Sequence, residues 1–247
     1  MRKVVLTRHG ESQSNKDQKF SGWYDVPLTK FGIGQTREAG RLLKDEGFRF
    51  DLAYASYLQR SIVSLWYLLE EMGLLWIPIE CHWQLNERHY GGFQGLEKVK
   101  VIEQLGWEKV HSIRRGYDTP PPLDPKDPYH SAHDGRYDEL GDRIPHAESL
   151  RDVEKRVAPF WDQEIAPQIS AGKSILLSMH GNSIRALLRH IADIPEDQIT
   201  GIEIPTGTPL VIEFEEDMTF SKRYFLGKKQ HPTDTAELIS DMKAPVS

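Results

Sequence analysis

Cysteine is almost missing from this chain: Cys81 is the only one in 247 residues, so no internal disulfide can form. With no second cysteine and no regular histidine spacing beside it, Cys81 is not a metal ligand and is expected to pack as a small apolar residue. Long hydrophobic runs are missing too, and nothing approaches the roughly 20 apolar residues of a membrane span. The start, Met1-Arg2-Lys3, leads straight into an apolar strand rather than a signal peptide, so a cytoplasmic protein is expected. Surplus basic charge is also lacking. A formal net charge of −6 argues against nucleic acid or membrane as a partner. On that acidic background, clustered arginines become informative, and Arg8, Arg60 and the pair Arg114-Arg115 are candidates to surround one anion.

What is present is an α/β pattern. With 38% hydrophobic residues the chain can bury a substantial core, and one domain over residues 1–227 is expected, followed by a polar tail over 228–247. Val4–Thr7 reads as a buried strand. Thr29 caps a helix over 30–46 that stops at Gly47, residues 50–56 form a second strand, and a helix over 58–72 turns Ile62, Leu65, Trp66 and Leu69 inward before Gly73. Strand alternating with helix predicts a three-layer αβα fold with a mostly parallel sheet. Residues 91–147, broken by Gly91-Gly92, Pro120-Pro121-Pro122, Pro125 and Pro128, read as a functional lid. Ser149 caps a helix running to about 170, residues 175–179 form another strand, and a helix from near Ser183 packs Ile184, Leu187, Leu188 and Ile191 on the sheet. Strands over 209–214 and 222–226 close the pattern.

Two of these strands end alike. Arg8-His9-Gly10 follows the first and His180-Gly181 follows the strand at 175–179, so parallel neighbours would deliver both imidazoles to one carboxyl edge, where open sheets bind ligands. Two histidines with an arginine suit phosphoryl capture: a neutral imidazole attacks phosphorus and cations absorb the oxygen charge. For that, the other ring nitrogen of His9 must be held by an acceptor, expected to be a backbone carbonyl. His130, His133 and Asp134 superficially resemble a metal cluster, but no further ligands accompany them and no metal is expected.

Leu6-Thr7-Arg8-His9-Gly10-Glu11-Ser12, Ser21-Gly22-Trp23-Tyr24-Asp25, Leu85-Asn86-Glu87-Arg88-His89-Tyr90-Gly91 and His180-Gly181-Asn182-Ser183 stand in order. Together they resemble the cofactor-dependent phosphoglycerate mutases of the histidine phosphatase superfamily, over about residues 3–227. The resemblance implies an isomerase of glycolysis and gluconeogenesis that interconverts 3-phosphoglycerate and 2-phosphoglycerate through a phosphohistidine at His9. It implies 2,3-bisphosphoglycerate as the primer, and a homodimer or homotetramer. Arg8, Arg60 and a protonated His180 would offset phosphoryl charge. Glu87 would shuttle the proton between substrate hydroxyls, with Glu11 as the rival carboxylate. By the same resemblance Asn15, Ser21, Gly22, Tyr90, Lys98, Arg114, Arg115, Gly181 and Asn182 contact substrate, and Arg114-Arg115 has the chemistry of a carboxylate or phosphate clamp.

Ser14 stands where many relatives have tryptophan, which predicts looser packing around Asn15. Bisphosphoglycerate mutases commonly carry Gly and Ser where this chain has Ser12 and Gly22, so they are the less favoured sibling. A phosphatase would tolerate a reduced substrate clamp, and a noncatalytic phosphate-recognition module would not need His9 or Glu87. Lys228 and Lys229 are expected to bring the tail over the mouth of the site.

Overall fold

The computed structural model describes residues 1–123 and 134–227. The tail over 228–247 with Lys228 and Lys229, and the loop residues Pro125, Pro128, His130 and His133, lie outside the described residues.

The chain runs β1 (Arg2–Arg8), α1 (Gln13–Lys16), α2 (Lys30–Asp45), β2 (Leu52–Ala55), α3 (Gln59–Met72) and β3 (Ile79–Cys81). Then come α4 (Lys98–Leu105), α5 (Trp107–Arg115), α6 (Leu150–Phe160), α7 (Ala166–Ser170), β4 (Ile175–Met179), α8 (Gly181–Ala192), α9 (Glu196–Ile199), β5 (Pro209–Phe214) and β6 (Phe220–Phe225). The strands form one sheet in the order β3-β2-β4-β1-β5-β6. β3, β2, β4 and β1 are mutually parallel, while β5 and β6 add antiparallel pairs at one side. The expected mostly parallel three-layer architecture is therefore the observed one.

Period-two burial explains the layers. Val4 and Leu6 of β1 face one apolar cluster with Leu177, Ile184, Leu187 and Phe160, while Val5 faces the other with Leu43, Leu65, Leu69 and Leu176. α6 and α8 cover the first face, and α2 and α3 the second.

Four local readings change. Trp66 is 57% exposed, because the inward stripe of α3 runs through Ser61, Leu65, Leu68, Leu69 and Met72, leaving Trp66 about 100° away around the helix. The single helix expected from Ser149 to about 170 divides into α6, a π-helical turn at Trp161–Ile165, and α7. Pro159 and Pro167 bracket that turn, and neither has an N–H for the helical ladder. β3 was not foreseen, since three residues give too short a pattern to read. The lid region is also less irregular than expected: α4 and α5 pack Val101, Ile102, Val110 and Ile113 onto Phe20 and Phe93 as a small core of their own.

Candidate active site

β1 and β4 are neighbours in register from Val4–Ile175 to Arg8–Met179, and the His9 N–H donates to the Met179 carbonyl at 3.1 Å. The two chains thus leave the sheet side by side, and the His9 and His180 ring centroids stand 5.0 Å apart. Gly10 makes the exit possible: a Cβ there would sit 2.2 Å from the Gly32 carbonyl oxygen, so the strand end passes directly over the first turn of α2.

Both rings are buried. His9 Nδ1 lies 2.7 Å from the Gly10 carbonyl, which makes Nδ1–H the donor and leaves Nε2 with the lone pair, the expected arrangement. Burial, then Arg60 and Arg8, hold the His9 imidazole well below its ordinary range, so it is neutral and nucleophilic at physiological pH. His180 departs from expectation. Burial first, then Arg60, His9 and Arg8, push its pKa well down too, so the ligand-free molecule carries it neutral rather than protonated. Its Nε2 lies 2.7 Å from Ser56 Oγ.

The inner cations reach the site from β1 and α3. Arg8 ends β1 and is anchored by the Ile204 carbonyl at 2.9 Å. Arg60, in the first turn of α3, is fully buried and held by the Gly22 and Tyr24 carbonyls at 2.7 and 3.2 Å. Burial brings its pKa down to about 10 against the opposing pull of Glu87 and Asp25, so it remains charged at neutral pH. Gly22 is what lets that loop turn: its φ is +55°, and a Cβ would lie 2.4 Å from Gln94 Oε1 and 2.8 Å from the Tyr90 nitrogen.

Glu87 faces the same cleft from the loop after β3. Its Oε1 accepts from the Arg88 N–H at 2.8 Å and from the Asn182 N–H, in the first turn of α8, at 3.2 Å. Glu11 is turned elsewhere, accepting from the Thr29 hydroxyl at 2.6 Å at the start of α2. Around the mouth stand Asn15, Ser21, Tyr90, Lys98, Arg114 and Arg115, with Gly181 and Asn182 completing the rim. Every one of these was expected from sequence. Gly22, Arg60 and His180 lie behind the wall rather than on it. Asn15 is held in place, since its Oδ1 accepts from the Ser12 N–H and hydroxyl at 3.1 and 2.8 Å in a capping box.

Tyr90 bridges the two halves. Its hydroxyl oxygen accepts from Arg88 Nη2 at 3.0 Å and from Asn182 Nδ2 at 3.3 Å. Burial disfavours its phenolate, but Arg88 and Arg114 outweigh burial and bring the pKa down to about 8. Arg115 is paired with Glu203 at the rim.

Four residues of the cleft lining were not read from the sequence, Lys19, Phe20, Arg185 and Glu203. Arg185 lines the mouth from α8, and burial, with Arg115 adding to it, lowers its pKa to about 9. The signal was available, because Arg185 lies one helical turn after Gly181 and so shares its face. Among the described residues, no group of three His, Cys, Asp or Glu side chains could hold a metal ion. Asp134 instead binds the Arg136 guanidinium. No described helix is long and apolar enough to cross a membrane.

This site can hold a phosphoryl group between two buried histidines, the buried Arg60 and the half-buried Arg8, pass a proton through a carboxylate beside it, and hold further negative charge at its mouth. Solved structures share the fold. Mycobacterial glucosyl-3-phosphoglycerate phosphatase is 20% identical with a TM-score of 0.69, over 91% of this chain and 97% of that one. A putative alpha-ribazole-5'-P phosphatase from Escherichia coli is 20% identical with a TM-score of 0.67, over 92% and 98%. The alpha-ribazole phosphatase from Shigella flexneri is 19% identical with a TM-score of 0.64, over 94% and 99%. The family model for the histidine phosphatase superfamily (branch 1) matches residues 4–134 and 125–226. With its paired strand-end histidines inside that span, the chain belongs to branch 1 of the histidine phosphatase superfamily.

Proposed function

We propose that this enzyme interconverts 3-phosphoglycerate and 2-phosphoglycerate through a phosphohistidine at His9, primed by 2,3-bisphosphoglycerate and without a metal. The observation that carries the reading is the second cationic group in the cleft. Lys98, Arg114, Arg115 and Arg185 line the mouth of the cleft that also holds His9 and Arg8. Hydrolysis of a phosphomonoester needs only the inner cluster. The outer one fits a substrate with a second anion, such as the carboxylate of phosphoglycerate, and a primer with phosphate at both ends.

The primer, when bound, supplies the phosphoryl group that loads His9. The chain's own residues do the rest. His9 Nε2, with its tautomer fixed by the Gly10 carbonyl, attacks phosphorus as the P–O bond to the donor hydroxyl breaks. Arg8 and Arg60 offset the charge on the equatorial oxygens. His180, neutral without ligand, gains a proton more readily once that negative charge arrives, and then donates to it. Glu87 protonates the departing hydroxyl oxygen and later takes the proton from the hydroxyl that is rephosphorylated. In the return step the N–P bond breaks as the new P–O bond forms.

Gly22 weighs against a bisphosphoglycerate mutase. A serine there would need a left-handed backbone and a Cβ in contact with Gln94 and Tyr90. The phosphatase reading is favoured by one fact, that the solved structures named above carry phosphatase names. A coupled assay from 3-phosphoglycerate, with and without 2,3-bisphosphoglycerate and repeated in EDTA, decides between them. Activity that requires the bisphosphate and survives chelation supports the mutase, whereas release of inorganic phosphate without 2-phosphoglycerate overturns it.

A further inference from the structure

Glu87 lies in a segment, Asn86–Tyr90, without helix or strand of its own. A proton carrier must nevertheless hold its place closely, since a displacement of about 1 Å can cost about 10²-fold in rate. What holds it is a buried ion pair outside the four motifs and away from the cleft wall. Arg156, on α6, is 9% exposed and Glu148, just ahead of that helix, is 3% exposed.

All five N–H bonds of Arg156 are used. Nε and Nη2 donate to the two oxygens of Glu148 at 2.7 and 2.9 Å. Nη1 donates to the Gln84 and Asn86 carbonyls at 2.6 and 3.0 Å, and Nη2 also to the Glu87 carbonyl at 2.9 Å. From the other side Glu148 Oε2 accepts from the His89 N–H at 2.7 Å, and the Glu148 N–H donates to the His89 carbonyl at 2.9 Å. Trp23 Nε1 gives the Glu87 carbonyl a second donor at 2.6 Å, and the Arg156 guanidinium lies over the Trp23 ring, 5.8 Å from its centroid. The peptides on both sides of Glu87 are therefore fixed by one planar fork and its carboxylate.

Stability alone does not call for this arrangement, because a buried ion pair is often replaceable by well-packed apolar residues of similar volume. A rigid fork that reads three carbonyls and a carboxylate in one plane offers something apolar packing does not, which is direction. We infer that Glu148 and Arg156 are positioning residues for Glu87, setting the carboxylate where it can serve both substrate hydroxyls. The inference rests on Glu87 as the proton carrier.

Arg156→Lys and Glu148→Gln test it, with Glu87→Gln run in parallel. Each variant is assayed on phosphoglycerate, whose alkoxide leaving group needs a proton, and for the first-turnover release of p-nitrophenolate from p-nitrophenyl phosphate, which needs none. Positioning predicts that kcat on phosphoglycerate falls about 10²-fold with KM changed less than about threefold, and that the p-nitrophenolate burst stays within about threefold of wild type. A variant that only loosens the fold would lower both rates together, and that result overturns the inference. So does an unchanged kcat on phosphoglycerate in both variants while Glu87→Gln is impaired. If Glu87→Gln itself turns over phosphoglycerate normally, the proton-carrier assignment has failed instead. Glu148→Gln keeps the side chain's shape and reads the same ratio if Arg156→Lys does not fold.

Discussion

Two neutral histidines sealed in one pocket should make the protein sensitive to mild acid. An unfolded histidine titrates near 6.5, whereas burial and the neighbouring arginines hold both His9 and His180 well below that when folded. Below pH 6.5 the unfolded chain therefore binds protons that the folded chain refuses, and stability falls as pH falls. At pH 5.5 most unfolded rings are protonated while the folded ones resist it, which costs on the order of 1–2 kcal/mol for each histidine and about 3 kcal/mol for the pair. For a chain of this size that lowers Tm by about 6–12 °C. The measurement is urea or thermal unfolding followed by tryptophan fluorescence between pH 7.5 and 5.5, for wild type and for the double variant His9→Asn, His180→Asn. Every other titrating group is common to both, so the difference in slope isolates the pair. Wild type should lose stability the faster by about 3 kcal/mol across that range. Inorganic phosphate should reduce the difference, because its negative charge compensates the protonated rings. Parallel curves for the two proteins would refute the claim that the pocket keeps both rings neutral.

His9→Ala should abolish turnover with the fold intact, and wild type incubated with 2,3-bisphosphoglycerate should give an acid-labile, alkali-stable phosphoprotein that His9→Ala does not; an adduct that persists moves the nucleophile elsewhere. Glu87→Gln should bind phosphoglycerate normally and lose about 10²–10⁴ in kcat, a range typical of general acid–base catalysis, as single-turnover kinetics would report. Arg185→Gln should raise KM for phosphoglycerate and the bisphosphate by about tenfold, the loss of about 1.4 kcal/mol from one charge-assisted contact, while leaving the p-nitrophenyl phosphate burst unchanged; equal effects on all three would place Arg185 in the inner phosphate site.

The sequence carried the frame of the fold because its signals are local. Thr29 accepts the Gly32 N–H as the cap of α2, Ser149 accepts the Asp152 N–H as the cap of α6, and Gly47 and Gly73 take the left-handed turns that end α2 and α3. β5 lies where the apolar run placed it. What escaped was set by tertiary contact. β3 is three residues whose only signal is pairing with β2, and the outward turn of Trp66 depends on which face α2 occupies. A π-helical turn between two prolines has no periodicity of its own to read.

The site divides along the same line. Residues proposed to handle the phosphoryl group, such as His9, Arg8 and His180, sit at strand ends where chemistry and local pattern coincide, so the sequence shows them. Residues that act at a distance in sequence leave no such mark. Arg156 follows Glu87 by 69 positions, and neither it nor Glu148 belongs to a motif, yet Arg156 holds the carbonyl of Glu87 and Glu148 the N–H of His89. The neutral state of ligand-free His180 left no sequence mark for a related reason: it is set by burial and by Arg60, His9, Arg8 and Arg156, which the fold brings around it. A site built to receive an anion is therefore not fully charged in advance. On the proposed mechanism part of its positive charge arrives with the phosphoryl group, as a proton on His180, so the ligand-free molecule is spared the cost of one more buried cation beside Arg60.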